Sequence, residues 1–219
     1  LGIKDVRIVP EGLSFCPLQT LPEIEIKPTV MFVGKLKKAN KPDDALRAFR
    51  VIKDKVPDAR LWIVGSGYME QELRKMAQKM FPNEASGITI FGNQTTDKKL
   101  ELMSRAHVLL VPGVREGWGL VVTEASAMGT PAMVDDVPGL RDSVINQVTG
   151  KLATRDDHLG MAVETINLLK DHIRRKTYAK NGMENAKQFK WETTASHIAE
   201  ILGQCRVTYS GASKEQFAT

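Results

Sequence analysis

Apolar residues follow two rhythms along this chain. Short uninterrupted apolar runs at residues 29–34, 60–64, 88–91, 107–111, 132–134 and 151–153 are bounded by glycine, proline or polar residues, the mark of strands buried on both faces. Between them the apolar positions recur every three or four residues. Pro42 fits a first helical position, with Ala45, Phe49, Ile52 and Val56 on one stripe that ends before Pro57. A second helix is predicted over residues 69–80, and a third, capped by Thr96 or Asp97, runs to Arg105. Strand and helix in alternation predict a parallel sheet with helices on its faces. From Asp156 onward the pattern is helical only, with Met161, Ile166, Leu168 and Leu169, then a helix near Lys187, then one over residues 191–205. The sheet is therefore complete before the last third of the chain. Residues 6–28, with prolines at 10, 17, 22 and 28, are irregular, and the small polar residues 210–219 predict a frayed tail.

Composition narrows the class. A chain of 219 residues that is 42% hydrophobic suits one α/β domain with a sizeable core. No apolar run approaches the ~20 residues needed to cross a bilayer. The first residues lack the apolar core of a signal peptide and an initiator methionine, so the sequence reads as a piece of something longer. Cys16 and Cys205 are too few for a disulfide framework or zinc knuckle, and the four histidines show no metal-ligand spacing. No metal or cofactor is expected, and a reducing cytosol is the simplest setting. The net charge of +5 is spread along the chain rather than clustered, which does not point to a nucleic-acid partner.

The chemistry concentrates between Arg115 and Glu124. Glu116 and Glu124 have seven residues between them, and the glycine-rich turn Gly117-Trp118-Gly119 leads through Leu120 and Val121 into a helix. Helical side chains lean toward the N-terminus, so Glu124 would point back toward the space that Glu116 faces. The amides of residues 117–121 would open on the same space, where the helix dipole favours an anion. Such a site could hold a phosphate on its backbone and sugar hydroxyls on its two carboxylates. Gly117 and Gly119 would supply positive φ, or leave room for a diphosphate, or both. Trp118 and Trp191 read as packing residues rather than stacking platforms.

Taken together, His107-Val108-Leu109-Leu110-Val111-Pro112, Glu116-Gly117-Trp118-Gly119, the run from Glu124 through Gly129-Thr130-Pro131, and Val137-Pro138-Gly139-Leu140 resemble the donor-binding domain of family 4 retaining glycosyltransferases. Val33-Gly34-Lys35-Leu36, the run Leu61 to Gly67 and Phe189-Lys190-Trp191-Glu192 extend the resemblance over nearly the whole chain. It implies a Rossmann-like α/β fold, a parallel sheet with helices on both faces, as the C-terminal half of a two-domain GT-B enzyme. Residues 1–28 would then be an interdomain segment, 29–205 the nucleotide-sugar-binding domain and 206–219 a tail. Pro10-Glu11-Gly12 resembles the family's Pro-Asn-Gly at the end of the strand that enters this domain. The implied reaction moves a sugar from a nucleoside-diphosphate donor to an acceptor with retention and without a required metal. The acceptor would be held by the absent N-terminal half, and membrane contact would follow only if that acceptor is a lipid.

The resemblance also assigns residues. Glu124 would hold ribose hydroxyls and Glu116 the transferred sugar; Gly34, Gly117, Trp118, Gly119, Leu120 and Val121 would line the donor, with Asn93 and Gln94 near the base. Lys35 stands where the family has arginine, keeping the charge but losing the bidentate fork. The family's second cation falls on Asn40 by ungapped counting, and Lys41 follows it: either Lys41 takes that role or a cation is lost. Two other function classes stay open. One is a nucleotide-sugar-binding module without transferase activity, to be separated by a donor-hydrolysis assay. The other is a nicotinamide-dependent dehydrogenase, against which Gly65-Ser66-Gly67 lacks the third glycine, position 70 being Glu.

Overall fold

In a computed structural model of the chain, which describes residues 7, 9–82 and 87–215, six strands form one parallel sheet in the order β3-β2-β1-β4-β5-β6. These are β1 Thr29–Val33, β2 Arg60–Val64, β3 Ile88–Gly92, β4 Val108–Val111, β5 Ala132–Asp135 and β6 Gly150–Ala153. Register sets Val30 beside Leu61 and Val108, and Phe32 beside Ile63 and Leu110. Neighbours in register share a face, so these six make one apolar layer. Helix α1, Pro42–Lys55, covers it with Ala45, Leu46, Phe49 and Ile52, all fully buried. Burial of a side chain such as Phe49 is worth about 1.5–3 kcal/mol.

The chain steps one way from β1 to β3 and the other way from β4 to β6. Right-handed crossovers then place the connecting helices on opposite faces. Helix α2, Glu70–Met80, packs beside α1; helices α3, Thr96–Arg105, and α5, Leu140–Ser143, pack beside α4, Leu120–Ala127. Helix α6, His158–Lys170, joins the α1 layer, and α7, His172–Ala186, packs on α4. This is the α/β fold with helices on both faces that the sequence predicts. Strand order reverses at β1 and β4, and the crevice beyond their C-terminal ends is where sheets of this kind take ligands.

Local differences from the predicted elements have plain causes. Thr95, not Thr96 or Asp97, caps α3: it is extended, and its Oγ1 accepts from the Lys98 amide at 3.3 Å, whereas Thr96 is already helical. His107 lies just before β4, and its ring Nδ1 accepts from the Thr29 amide at 3.1 Å. Two short elements escape hydrophobic periodicity, a 3-10 turn at Lys38–Asn40 and α5, each shorter than one apolar repeat.

The chain divides into two compact units, residues 1–15 with 188–219, and residues 16–187. In the first, Leu13 bridges Lys190, its amide donating to Phe189 O at 2.9 Å, and Thr194 Oγ1 donates to Pro10 O at 2.8 Å. The two end segments flagged by sequence, around Pro10-Glu11-Gly12 and Phe189-Lys190-Trp191, thus meet each other. Helix α8 runs Trp191–Glu215, through part of the segment expected as a tail, and residues 216–219 lie outside the described residues. So does most of the segment before Pro10.

Candidate active site

Three loops converge beyond the C-terminal ends of β1, β4 and β5. The loop after β1 carries Gly34, Lys35, Asn40 and Lys41; the loop after β4 carries Glu116 to Gly119; the loop after β5 carries Pro138, Gly139 and α5. Val114 donates its amide to Ala39 O at 3.0 Å, which ties the first loop to the second. Leu140 packs between the second and third, 3.5 Å from the position a Cβ on Gly113 would take and 3.1 Å from that of Gly119.

The Glu116 loop is braced by backbone rather than side chains. The Glu116 amide donates to Pro138 O at 3.2 Å, and Gly139, at φ 86, approaches so closely that a Cβ would lie 2.0 Å from Glu116 O. Only glycine fits there. The Glu116 carboxylate itself has no hydrogen bond or ion pair among the described residues. Trp118 folds back on the next helix, its Nε1 donating to Thr123 Oγ1 at 3.2 Å, which agrees with packing.

Gly119 takes the left-handed conformation, φ 79, and so turns the chain into α4. Gly117 does not, so positive φ is needed at one glycine rather than the two expected; a Cβ on Gly117 would meet open space. The N-terminus of α4 has no side-chain cap and no acidic residue in its first turn. The first of its amides to reach a backbone carbonyl is that of Val122, on Gly119 O at 2.8 Å. The amides of Leu120 and Val121 precede it, where a helix leaves donors for an outside acceptor and its dipole draws negative charge. Glu124 follows on the same helix, and Lys99 of α3 grips it, Nζ lying 2.7 Å from Oε1 and 2.6 Å from Oε2.

The two lysines after β1 differ sharply. Lys35 is exposed, and its side chain makes no hydrogen bond or ion pair among the described residues. Lys41 is left-handed at φ 47 and its side chain is nearly buried. Its ammonium pairs with Asp156, with Asp135 Oδ2 at 3.5 Å and with Asp44 Oδ2 at 4.0 Å. Burial alone would lower its pKa, but the three carboxylates, Asp156 foremost, outweigh burial and raise it. The pKa of Asp135, buried at the end of β5, is raised as well, here because burial disfavours the anion and outweighs the Gly113 amide at 3.2 Å and Lys41. Asn40 Nδ2 lies 3.3 Å from where a Cβ on Gly34 would be, so this pair packs together. Asn93 is exposed on the loop after β3, and Gln94 turns its amide onto Phe91 O at 2.8 Å.

Sequence reasoning missed Lys99, Asp135 and Asp156. Asp135 was legible as the polar end of an apolar run. Lys99 sits in a charged stretch where periodicity names no favourite. Gly65 and Gly67 have a packing role: their Cβ atoms would lie 1.9 Å from Gly34 O and 2.3 Å from Leu36 O. Among the described residues no group of three or more His, Cys, Asp or Glu side chains is placed to hold a metal ion, and no helix is long and apolar enough to cross a membrane.

Comparison with known proteins agrees with this arrangement. Residues 19–185 match the family described as glycosyl transferases group 1. The chain is 30% identical over 182 residues to the D-inositol 3-phosphate glycosyltransferase of Salinispora tropica, covering 80% of this chain and 38% of that protein. Among solved structures, sucrose-phosphate synthase from Thermosynechococcus elongatus superposes with TM-score 0.78 at 25% identity, over 92% of this chain and 53% of that one. Anabaena HepE, solved in complex with UDP and glucose, superposes with TM-score 0.73 at 20% identity, over 81% and 48% respectively. The chain therefore spans about half the length, or less, of these proteins. A match over most of the sequence, on a sheet of this order, makes this chain a member of the group 1 glycosyl transferases.

Proposed function

We propose that this chain is the donor-binding part of a GT-B glycosyltransferase that moves a hexose from a nucleoside-diphosphate sugar to an acceptor with retention. One observation carries the reading: the uncapped N-terminus of α4 stands between Glu116, unpartnered among the described residues, and a fixed Glu124. The diphosphate rests on the amides of residues 117–121, Glu124 accepts from the ribose hydroxyls, and Glu116 orients the sugar. Carboxylates suit both tasks because they accept charge-assisted hydrogen bonds from paired hydroxyls. HepE bound to UDP and glucose supports a uridine donor as the first to try.

Charge on the departing diphosphate is met by Lys35 and by preorganised amides rather than by a metal ion. Lys41 becomes a second cation when phosphate replaces Asp156, the most exposed of its three partners. Asn93 borders the base. The acceptor is held by a domain outside this chain, so the chain alone binds the donor without transferring its sugar. The working compartment is the cytoplasm, with membrane contact if the acceptor is a lipid.

A second reading, a nucleotide-sugar-binding module without transferase activity, draws on the neutralisation of Lys41 by three carboxylates. Thermal-shift screening against UDP, GDP, ADP and their sugar conjugates tests the shared part of both, since a bound ligand stabilises by RT ln(1 + [L]/Kd). No shift with any nucleoside diphosphate at millimolar concentration would overturn both. Donor hydrolysis by the protein joined to its acceptor-binding half separates them.

A further inference from the structure

We infer that Lys99 is a positioning residue of the donor site: its ammonium pins the Glu124 carboxylate in one orientation and leaves that carboxylate half free for a ribose diol. This rests on the reading that Glu124 meets the ribose. Lys99 and Glu124 are the fourth residue of α3 and the fifth of α4, so the pair links the N-terminal portions of two helices. A cation near two helix N-termini is repelled by both dipoles. The first turn of α4 holds no acidic residue, and the one on α3, Asp97, makes no hydrogen bond or ion pair with Lys99 among the described residues. The adjacent Lys98 spends its charge on Glu101 at 2.8 Å. What holds Lys99 in place is therefore Glu124.

The geometry fits a shared carboxylate. Nζ lies 2.7 and 2.6 Å from the two oxygens, so it takes one lone pair from each. A carboxylate offers about four acceptor positions. One therefore remains on each oxygen, which matches two neighbouring hydroxyls. Side-chain exposures of 22% for Lys99 and 19% for Glu124 leave the pair sheltered yet reachable. A glutamate held in this way does not lose rotamer freedom when the nucleoside arrives, and ordering that is already complete no longer weakens binding. The loop of Asn93, Gln94 and Thr95 leads directly into α3. Lys99 thus lies on the helix that the proposed base-contacting loop enters, and it holds the proposed ribose contact.

The test uses whichever of UDP, GDP and ADP binds the 219-residue chain most tightly, together with its 2′,3′-dideoxy counterpart. Calorimetry on wild type, Lys99→Met, Lys99→Arg, Glu124→Ala and the Lys99→Met/Glu124→Ala double variant gives a full cycle. Lys99→Met is expected to weaken the ribose ligand on the order of tenfold, to leave the dideoxy ligand nearly unchanged, and to add nothing in the Glu124→Ala background. Lys99→Arg, which keeps the charge and tests folding, should recover most of the affinity. Equal losses for both ligands would mean a merely structural tie between α3 and α4 and would overturn the inference. So would tighter ribose binding by Lys99→Met, which would mean that Lys99 competes with the diol. Should Glu124→Ala itself spare the ribose preference, the ribose reading fails and Lys99 with it. A loss at Glu124→Ala with silence at Lys99→Met overturns the Lys99 inference alone.

Discussion

Four charged side chains near the crevice sort by whether the protein has already engaged them. Lys35 and Glu116 stand without partners among the described residues, while Lys41 and Glu124 are held by Asp135, Asp156 and Asp44 and by Lys99. Lys35→Ala should therefore weaken diphosphate binding by about 1 kcal/mol, as for a partly exposed charge pair, with the loss shrinking as salt rises, and leave stability unchanged. Lys41→Ala should differ by costing stability as well. Removing it strands the buried Asp135, whose carboxyl burial already disfavours as an anion, and lowers stability on the order of 3 kcal/mol. Urea unfolding of both variants, with diphosphate affinities at low and high salt, checks the contrast; a Lys41→Ala protein as stable as wild type would contradict it. At this scale the sequence made the carboxylates legible, because a glycine-rich turn between two glutamates leaves few alternatives. It did not reveal the partners, because Lys99 and Asp156 are distant in sequence from the groups they hold and follow no local pattern.

The element on which the site depends is the entry into α4. Gly119 sits at φ 79, and a Cβ there would lie 2.9 Å from Ser143 Oγ and 3.1 Å from Leu140 Cδ2. Gly119→Ala should lower stability by about 1–2 kcal/mol from the left-handed backbone alone. It should also weaken nucleotide binding, because the amides that follow are displaced. Gly117→Ala is the control for stability alone, since that residue has ordinary φ and no neighbour that a Cβ would meet. Denaturation midpoints for both variants distinguish a turn requirement from a general intolerance of side chains, and the nucleotide affinity of Gly119→Ala checks the displaced amides. The strands were legible because central parallel strands read as unbroken apolar runs, as Thr29–Val33 does, buried on both faces. The 3-10 turn at Lys38–Asn40 and the short α5 were not, being fixed by tertiary contacts: Val114 on Ala39 O, and Leu140 against Gly113 and Gly119.

For the whole molecule, the stability of the sheet should depend on pH through His107. Burial, with Arg175 nearby, lowers its pKa from 6.5 to about 4, and its neutral ring accepts the Thr29 amide. The unfolded chain takes up this proton near pH 6.5 and the folded chain only near pH 4, so the contribution is present above the first value and lost as pH falls toward the second. The shift corresponds to about 3 kcal/mol. His107→Asn, which can still accept that amide but does not titrate, should show a smaller loss of unfolding free energy between pH 6.5 and pH 4; an unchanged pH profile would contradict the assignment. The central claim, that one site at the start of α4 reads a nucleoside diphosphate with Glu124 and its sugar with Glu116, is tested most directly by calorimetry. UDP or GDP and the matching sugar conjugate are titrated into wild type, Glu124→Ala and Glu116→Ala. Glu124→Ala should weaken both ligands by about 1.5–3 kcal/mol, the range for a hydrogen bond to a charged group, whereas Glu116→Ala should spare the free diphosphate and weaken only the sugar-bearing donor. Equal losses for both ligands in both variants would contradict the account.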